Sequence, residues 1–332
     1  MKKLQITIVC AILFFLVVLV TVALILGQIA VFTLLVVAGI ALASFPQILE
    51  SEKTILSPEV RSHASGKFVH LPEGFVHYEI GGPENAKVVV LIHGFSIPYY
   101  VWDPAFEALK TSGFRVLRYD LFGRGYSDRP KAKYERRFLV QQLDNLLKAL
   151  EIMKPVNLVG LSIGAAIASD FATRCPTQVK KLVFIAPHHA PINISLLNIP
   201  ILGEYLAAVL FAPSLPKKQR DYFYLPERFP EWTVRFRQQM QYKGFRRALL
   251  CTLRNFANQD QLAIYKEISK LNKPVFLIWG KEDKIVPFSG SERLLSVLEA
   301  EFLAVDKAGH LAYYERPEAV CPRLVDFLGQ DS

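Results

Sequence analysis

The chain has 332 residues, 52% of them hydrophobic and 21% charged, with a net charge of +9. Setting aside an apolar N-terminus of about 50 residues leaves enough chain for one domain with a deep core. Four scattered cysteines (Cys10, Cys175, Cys251 and Cys321) form no recognisable disulfide framework, which favours a reducing compartment. No internal repeat or low-complexity tract occurs outside the N-terminus.

From Ile6 to Phe45 there is no charged residue. A bilayer core takes about 20 apolar residues of helix, so the stretch has roughly the length of two spans. A cleaved signal peptide would have an apolar core of only roughly 7–15 residues. A buried soluble helix would show a polar face, which is missing here. Residues 1–48 are therefore expected to be a membrane anchor of one or two transmembrane helices. In the two-helix form Ile6 to Leu26 spans, Gly27-Gln28 turns, and Ile29 to Phe45 spans back. Lys2 and Lys3 favour a cytoplasmic N-terminus. A hairpin would then return the rest of the chain to the cytoplasm, whereas a single span would export it. Residues 49–66 read as a linker.

Three strands are expected between Phe68 and Ile92, the last being the β-branched run Lys87 to Ile92 followed by His93-Gly94-Phe95-Ser96. Backbone N–H groups in such a loop can stabilise a developing oxyanion. Phe95 is the expected donor, and His93 is expected to prop the loop by hydrogen bonding rather than to react. Val156 to Val159 reads as a buried strand, and Ala165 to Thr173 as a helix. Between them lies Gly160-Leu161-Ser162-Ile163-Gly164, a G-x-S-x-G at a strand-to-helix junction. That pattern is a nucleophile elbow, a tight turn presenting the Ser162 hydroxyl, with the Ile163 N–H as a second oxyanion donor. Lys181 to Ala186 reads as another strand, and His188-His189 after it as polar loop residues near the pocket.

Regular alternation stops from about 188 to 270, too long an interval for a connecting loop. A helical cap over Ser162 is expected there. Its first part is apolar, with Leu196, Leu197, Ile201 and Leu210 among many. Between 190 and 260 there are ten Lys and Arg against five Asp and Glu. Nothing resembles a nucleic-acid-binding fold, so nucleic acid is not an expected partner; beside a membrane, such a face attracts anionic headgroups. After the strand-like Pro274 to Trp279 comes Asp283, and after the apolar segment Phe302 to Val305 comes His310. A serine hydroxyl needs a base to become a nucleophile. The order Ser162, Asp283, His310 is that of a triad in which His310 takes the serine proton and Asp283 orients the imidazole.

These blocks, with Asp120-Leu121-Phe122-Gly123-Arg124-Gly125-Tyr126-Ser127, resemble the α/β-hydrolase superfamily over about Phe68 to Leu328. Monoacylglycerol-lipase-like and small-ester hydrolases with a helical cap are the most similar in character. The resemblance implies a mostly parallel sheet with helices on both faces over residues 67–330, and gives the D-x-x-G-x-G-x-S turn a structural role. It implies Ser162, Asp283 and His310 as the triad, with Phe95 and Ile163 as oxyanion donors. Epoxide hydrolases and haloalkane dehalogenases carry aspartate at the elbow, so the serine speaks against both. Carbon–carbon bond hydrolases and cofactor-free haloperoxidases keep the triad and remain open, as does a non-catalytic binding protein. No dinucleotide, H-E-x-x-H or C-x-x-C spacing occurs, and neither cofactor nor metal is expected. The expectation is a membrane-anchored serine hydrolase of carboxylic, lipid-like esters, its oligomeric state open.

Overall fold

The computed structural model describes residues 2–26, 32–37, 39–40, 44–45 and 51–330. They fall into two units, Met1–Glu50 and Ser51–Ser332. In the larger unit eight strands form one sheet: β1 (Lys67–Leu71), β2 (Gly74–Gly81), β3 (Val88–Ile92), β4 (Arg115–Tyr119), β5 (Val156–Leu161), β6 (Val179–Ile185), β7 (Val275–Gly280) and β8 (Glu301–Val305). Their spatial order is β1-β2-β4-β3-β5-β6-β7-β8. β2 runs antiparallel to both of its neighbours, β1 and β4, whereas β3 to β8 are parallel to one another. Strands β3, β5 and β7 are buried along their whole length. Their near-continuous Val, Ile and Leu runs follow from that burial, since both sheet faces are covered by helices. One buried cluster lies on each face, with Leu158, Phe171 and Trp279 in one and Val159, Trp102 and Phe276 in the other.

The register lines up the carboxyl ends of the strands. Ile92 pairs with Gly160, Leu161 with Ile185, and Gly280 with Val305. The loops that follow β3, β5, β7 and β8 therefore leave from one edge, the edge where open α/β sheets bind ligands. Each expected strand is present, with ends shifted by a residue or two.

The interval between β6 and β7 is helical throughout its regular elements, including Leu202–Leu206, Ala212–Lys218, Trp232–Met240, Phe245–Thr252 and Leu262–Ser269. Two π-helical turns, Ala207–Phe211 and Leu253–Ala257, interrupt it. Its first part leaves apolar side chains in the open, Ile201 being 85% exposed.

Residues 51–66 are not a loose tether but belong to the larger unit. The Glu52 carboxylate accepts the N–H groups of Gly244 (2.7 Å) and Arg246 (2.5 Å), at the start of the helix Phe245–Thr252. An acceptor at that place satisfies donors that the helix itself leaves open. Thr54 forms an isolated bridge with Tyr242, and Arg61, in the short helix Pro58–Ser62, forms an ion pair with Asp128. The composition Ser-Glu-Lys-Thr looks like linker because its partners lie about 190 residues away.

In the smaller unit a helix runs from Lys2 to Leu26. Its side chains are described from 7 to 22, where Phe14, Phe15 and Val17 stand well exposed. Among the described residues no helix is long and apolar enough to cross a membrane. The expected turn at Gly27-Gln28 lies outside them.

Candidate active site

Ser162 sits between β5 and the helix Ile163–Arg174 with φ 55° and ψ −119°. Positive φ is costly for a residue with a side chain. Here surrounding bonds enforce it: the Ser162 N–H donates to Ile185 O (3.0 Å), and its carbonyl accepts from His188 N (3.1 Å). The two motif glycines exist for close approach. A Cβ on Gly164 would stand 2.2 Å from Ile92 O, and one on Gly160 would stand 2.5 Å from the Ala165 backbone. The turn thus packs against β3 and the following helix with no room for a side chain. Ile163 is the first residue of its helix, so its N–H has no intrahelical partner.

His310 follows β8, and its Nδ1 donates to Asp283 Oδ2 at 2.7 Å. Both side chains are almost wholly buried, at 1% and 0% exposure. The other oxygen, Oδ1, accepts the N–H groups of Ile285 (2.7 Å) and Val286 (2.9 Å). With these bonds the carboxylate is held in orientation and the proton of the imidazole is fixed on Nδ1. Nε2 then carries a lone pair and makes no hydrogen bond to a described residue. Neither does the Ser162 hydroxyl, so His310 and Asp283 are brought into contact while Ser162 is not hydrogen-bonded to the imidazole. The Tyr222 ring, from the helical insertion, stands edge-on to His310 at 5.4 Å.

Loop 93–96 lies against the elbow: a Cβ on Gly94 would be 3.3 Å from Ser162 Cβ. His93 is fully buried, its Nδ1 donating to Gly94 O (2.9 Å) and its Nε2 accepting the Leu121 N–H (2.9 Å). Burial lowers its pKa to about 4, which keeps the ring neutral. The expected propping role matches this geometry. His188 and His189 lie in the loop after β6, as expected, and both are buried. His188 Nε2 donates to Ala257 O (3.0 Å), and burial likewise lowers its pKa to about 4.

Glu315 escaped the sequence reading. It is buried, and its carboxylate accepts the N–H groups of Gly309 (2.6 Å), Tyr224 (2.9 Å) and Leu225 (3.1 Å). It thereby ties the His310 loop to the insertion. Glu282, the neighbour of Asp283, accepts the Ala308 N–H (2.9 Å), whereas the His310 imidazole bonds to Asp283. A buried carboxylate that accepts several N–H groups in one loop is a positioning device, but a glutamate in Tyr-Glu-Arg-Pro carries no local signal for it.

Comparison with known proteins agrees with this architecture. The mouse monoacylglycerol lipase ABHD6 is 23% identical over 266 residues, covering 75% of this chain and 77% of its own length. The 2-hydroxy-6-oxononadienedioate/2-hydroxy-6-oxononatrienedioate hydrolase of Paraburkholderia phymatum is 27% identical over 286 residues, covering 80% and 96%. Among solved structures, a thermophilic esterase from Thermogutta terrifontis superposes with a TM-score of 0.68 at 21% identity, covering 80% of this chain and 98% of the esterase. The family profile described as alpha/beta hydrolase fold matches residues 87–317. On that match, and on the sheet and elbow above, the chain belongs to the α/β-hydrolase family.

Proposed function

We propose that the protein is a membrane-anchored serine hydrolase of carboxylic esters, acting on lipid-like substrates such as monoacylglycerols. The observation that carries the reading is a serine held at positive φ on the same sheet edge as a buried His310–Asp283 pair whose outer nitrogen is unspent. Ser162 Oγ attacks the ester carbonyl while His310 Nε2 takes its proton. Asp283 stabilises the imidazolium, and the N–H groups of Phe95 and Ile163 receive the oxyanion. His310 returns the proton to the leaving alcohol, and an acyl-enzyme remains. Water deprotonated by His310 then releases the acid and frees Ser162. Serine–histidine bonds of this kind often tighten only when substrate is bound.

Two features support an apolar acyl group. The insertion, read here as a cap, exposes Leu196, Ile201 and Leu210, and the N-terminal stretch is free of charge from Ile6 to Phe45. We read that stretch as the anchor, with the hydrolase unit on the cytoplasmic side. Protease added outside intact cells then spares the hydrolase unit; digestion would place it outside. For the chemistry, a fluorophosphonate probe labels wild type and not Ser162→Ala, and turnover rises with acyl length on purified protein in detergent. Labelling of Ser162→Ala would sink the assignment. The Paraburkholderia relative gives carbon–carbon bond hydrolysis as the second reading. Faster cleavage of a vinylogous 1,5-diketone than of any ester would favour it.

A further inference from the structure

Three consecutive carbonyls in the loop after β3 are each held by a buried side chain. Gly94 O accepts from His93 Nδ1, Phe95 O from Arg124 Nε (2.8 Å), and Ser96 O from Gln239 Nε2 (2.7 Å). Sequence reading anticipated the first of these alone. Arg124 is fully buried within the Asp120–Ser127 turn, and its other nitrogens donate to Phe122 O (3.0 Å) and Thr252 Oγ1 (2.8 Å). No carboxylate is among those partners. Burial lowers its pKa to about 10, so the guanidinium keeps its charge at neutral pH. A buried cation bonded only to neutral oxygens is a poor source of stability. Its geometry does something else: it fixes where a peptide points.

Gln239 is likewise buried, in the helix Trp232–Met240 of the insertion. Its Oε1 accepts the Gly125 N–H (3.1 Å), which leaves its amide nitrogen to face Ser96 O. In a trans peptide the carbonyl and the N–H point in opposite directions. Holding Gly94 O on the inner side therefore sends the Phe95 N–H the other way. Clamping the next two carbonyls removes the freedom of that peptide to rotate.

We infer that Arg124 and Gln239 are positioning residues for the oxyanion hole, and that the hole is complete only while the helical insertion is seated. The insertion thus takes part in catalysis through a hydrogen bond to the loop. This rests on the Ser162 reading above, and the test separates the two.

Full-length protein in detergent is assayed with a short-chain p-nitrophenyl ester, each preparation being titrated by saturating fluorophosphonate labelling. Arg124→Lys and Gln239→Met should lower kcat per labelled site by about 10- to 100-fold, the scale expected of a misplaced catalytic group. KM should stay within about threefold. Affinity for a trifluoromethyl ketone, whose serine adduct places an oxyanion in the hole, should fall by the same factor as kcat. Because both residues serve one loop, the double variant should lose less than the product of the single losses. Should Arg124→Lys fail to fold, Gln239→Met decides alone, since it keeps side-chain length and buries no charge. Unchanged kcat per labelled site, or a raised KM at constant kcat, overturns the inference. Absence of labelling in wild type would instead overturn the serine-hydrolase reading.

Discussion

Two histidine–aspartate pairs in this molecule share the same first bond. His310 Nδ1 lies 2.7 Å from Asp283 Oδ2, and His77 Nδ1 lies 2.7 Å from Asp120 Oδ2; all four residues are buried. The pairs part at the outer nitrogen. His77 Nε2 is spent on Ser65 O at 2.5 Å, with the Tyr99 hydroxyl donating to that same carbonyl at 3.0 Å. Both ring nitrogens of His77 are thus engaged by oxygens, and the ring serves as a strut. Asp120 also accepts the N–H groups of Tyr99 (2.8 Å) and Tyr126 (2.9 Å). Burial would raise the pKa of Asp120, but the His77 bond and charge outweigh it and hold it below the usual range. His310 Nε2 has no such engagement. A buried imidazole–carboxylate pair is therefore no sign of catalysis by itself; what marks the candidate site is an outer nitrogen left open on the sheet edge that also carries Ser162.

The contrast is broken most directly by mutation of each pair. In the His310 pair, Asp283→Asn should cost about 10⁴-fold in kcat and His310→Ala at least as much, the scale seen when triad members are removed elsewhere. The thermal midpoint should move little. In the His77 pair, Asp120→Asn should keep kcat of the folded fraction within about threefold. It should cost roughly 1–3 kcal/mol of stability, because the buried bonds to His77, Tyr99 and Tyr126 lose a charged acceptor. An inactive but fully stable Asp120→Asn would refute the division of roles.

Protons offer a second way to test it. His93 and His188 have folded pKa values lowered to about 4 by burial, from an ordinary 6.5. For a base with a lowered folded pKa, the unfolded chain binds the proton first. Stability is then fully present above about pH 6.5 and is lost as pH falls towards about 4. Each histidine contributes roughly 3 kcal/mol across that window. Thermal melts between pH 7 and 4 should show a falling midpoint, and His93→Gln should flatten the slope by about one proton. A midpoint flat over that range would contradict the neutral, buried state of both rings.

Truncation sharpens the comparison further. Removing residues 1–50 keeps every bond made by Glu52, Thr54, Arg61 and Ser65, and should leave a folded enzyme active on soluble short esters. Its rate on vesicle-embedded substrate should drop, since tethering raises local concentration. Removing 1–66 takes away the carbonyl shared by His77 and the Tyr99 hydroxyl, leaving only that hydroxyl, at 3.4 Å, beside the outer nitrogen of His77. That loss should destabilise by about 1–3 kcal/mol, the cost of an unpaired buried donor, and should confer no second activity. The smallest effect belongs to Glu282→Gln, which retains an acceptor for Ala308 N. It should stay within a few-fold of wild type in kcat/KM, whereas a dead variant would mean that the wrong carboxylate had been assigned.

Legibility in the sequence followed contact distance along the chain. The elbow, the strand before it and the helix after it are contiguous, and their glycines carry a local steric reason, so they could be read directly. Asp283 and His310 were readable because each follows an apolar run at the sheet edge. Gln239 reaches Ser96 across 143 residues, and Glu315 reaches Tyr224 across 91. Such bonds leave no periodicity and no motif. Arg124 lay inside a motif read as structural, yet the motif is silent on its contact with Phe95 O. The strap at 51–66 was read as linker because its polar composition hides a docking that depends on the insertion.

The backbone angle at Ser162 has a consequence beyond the reaction. Serine tolerates φ 55° there only under constraint, at an expected 1–3 kcal/mol, whereas glycine would adopt it freely. Ser162→Gly should therefore melt at a higher temperature than wild type while losing all turnover, and Ser162→Ala should not share the gain. Mutation filtered by folding alone would carry this position toward glycine. A serine at this angle is held against its own conformational preference, so here the loss of activity runs thermodynamically downhill.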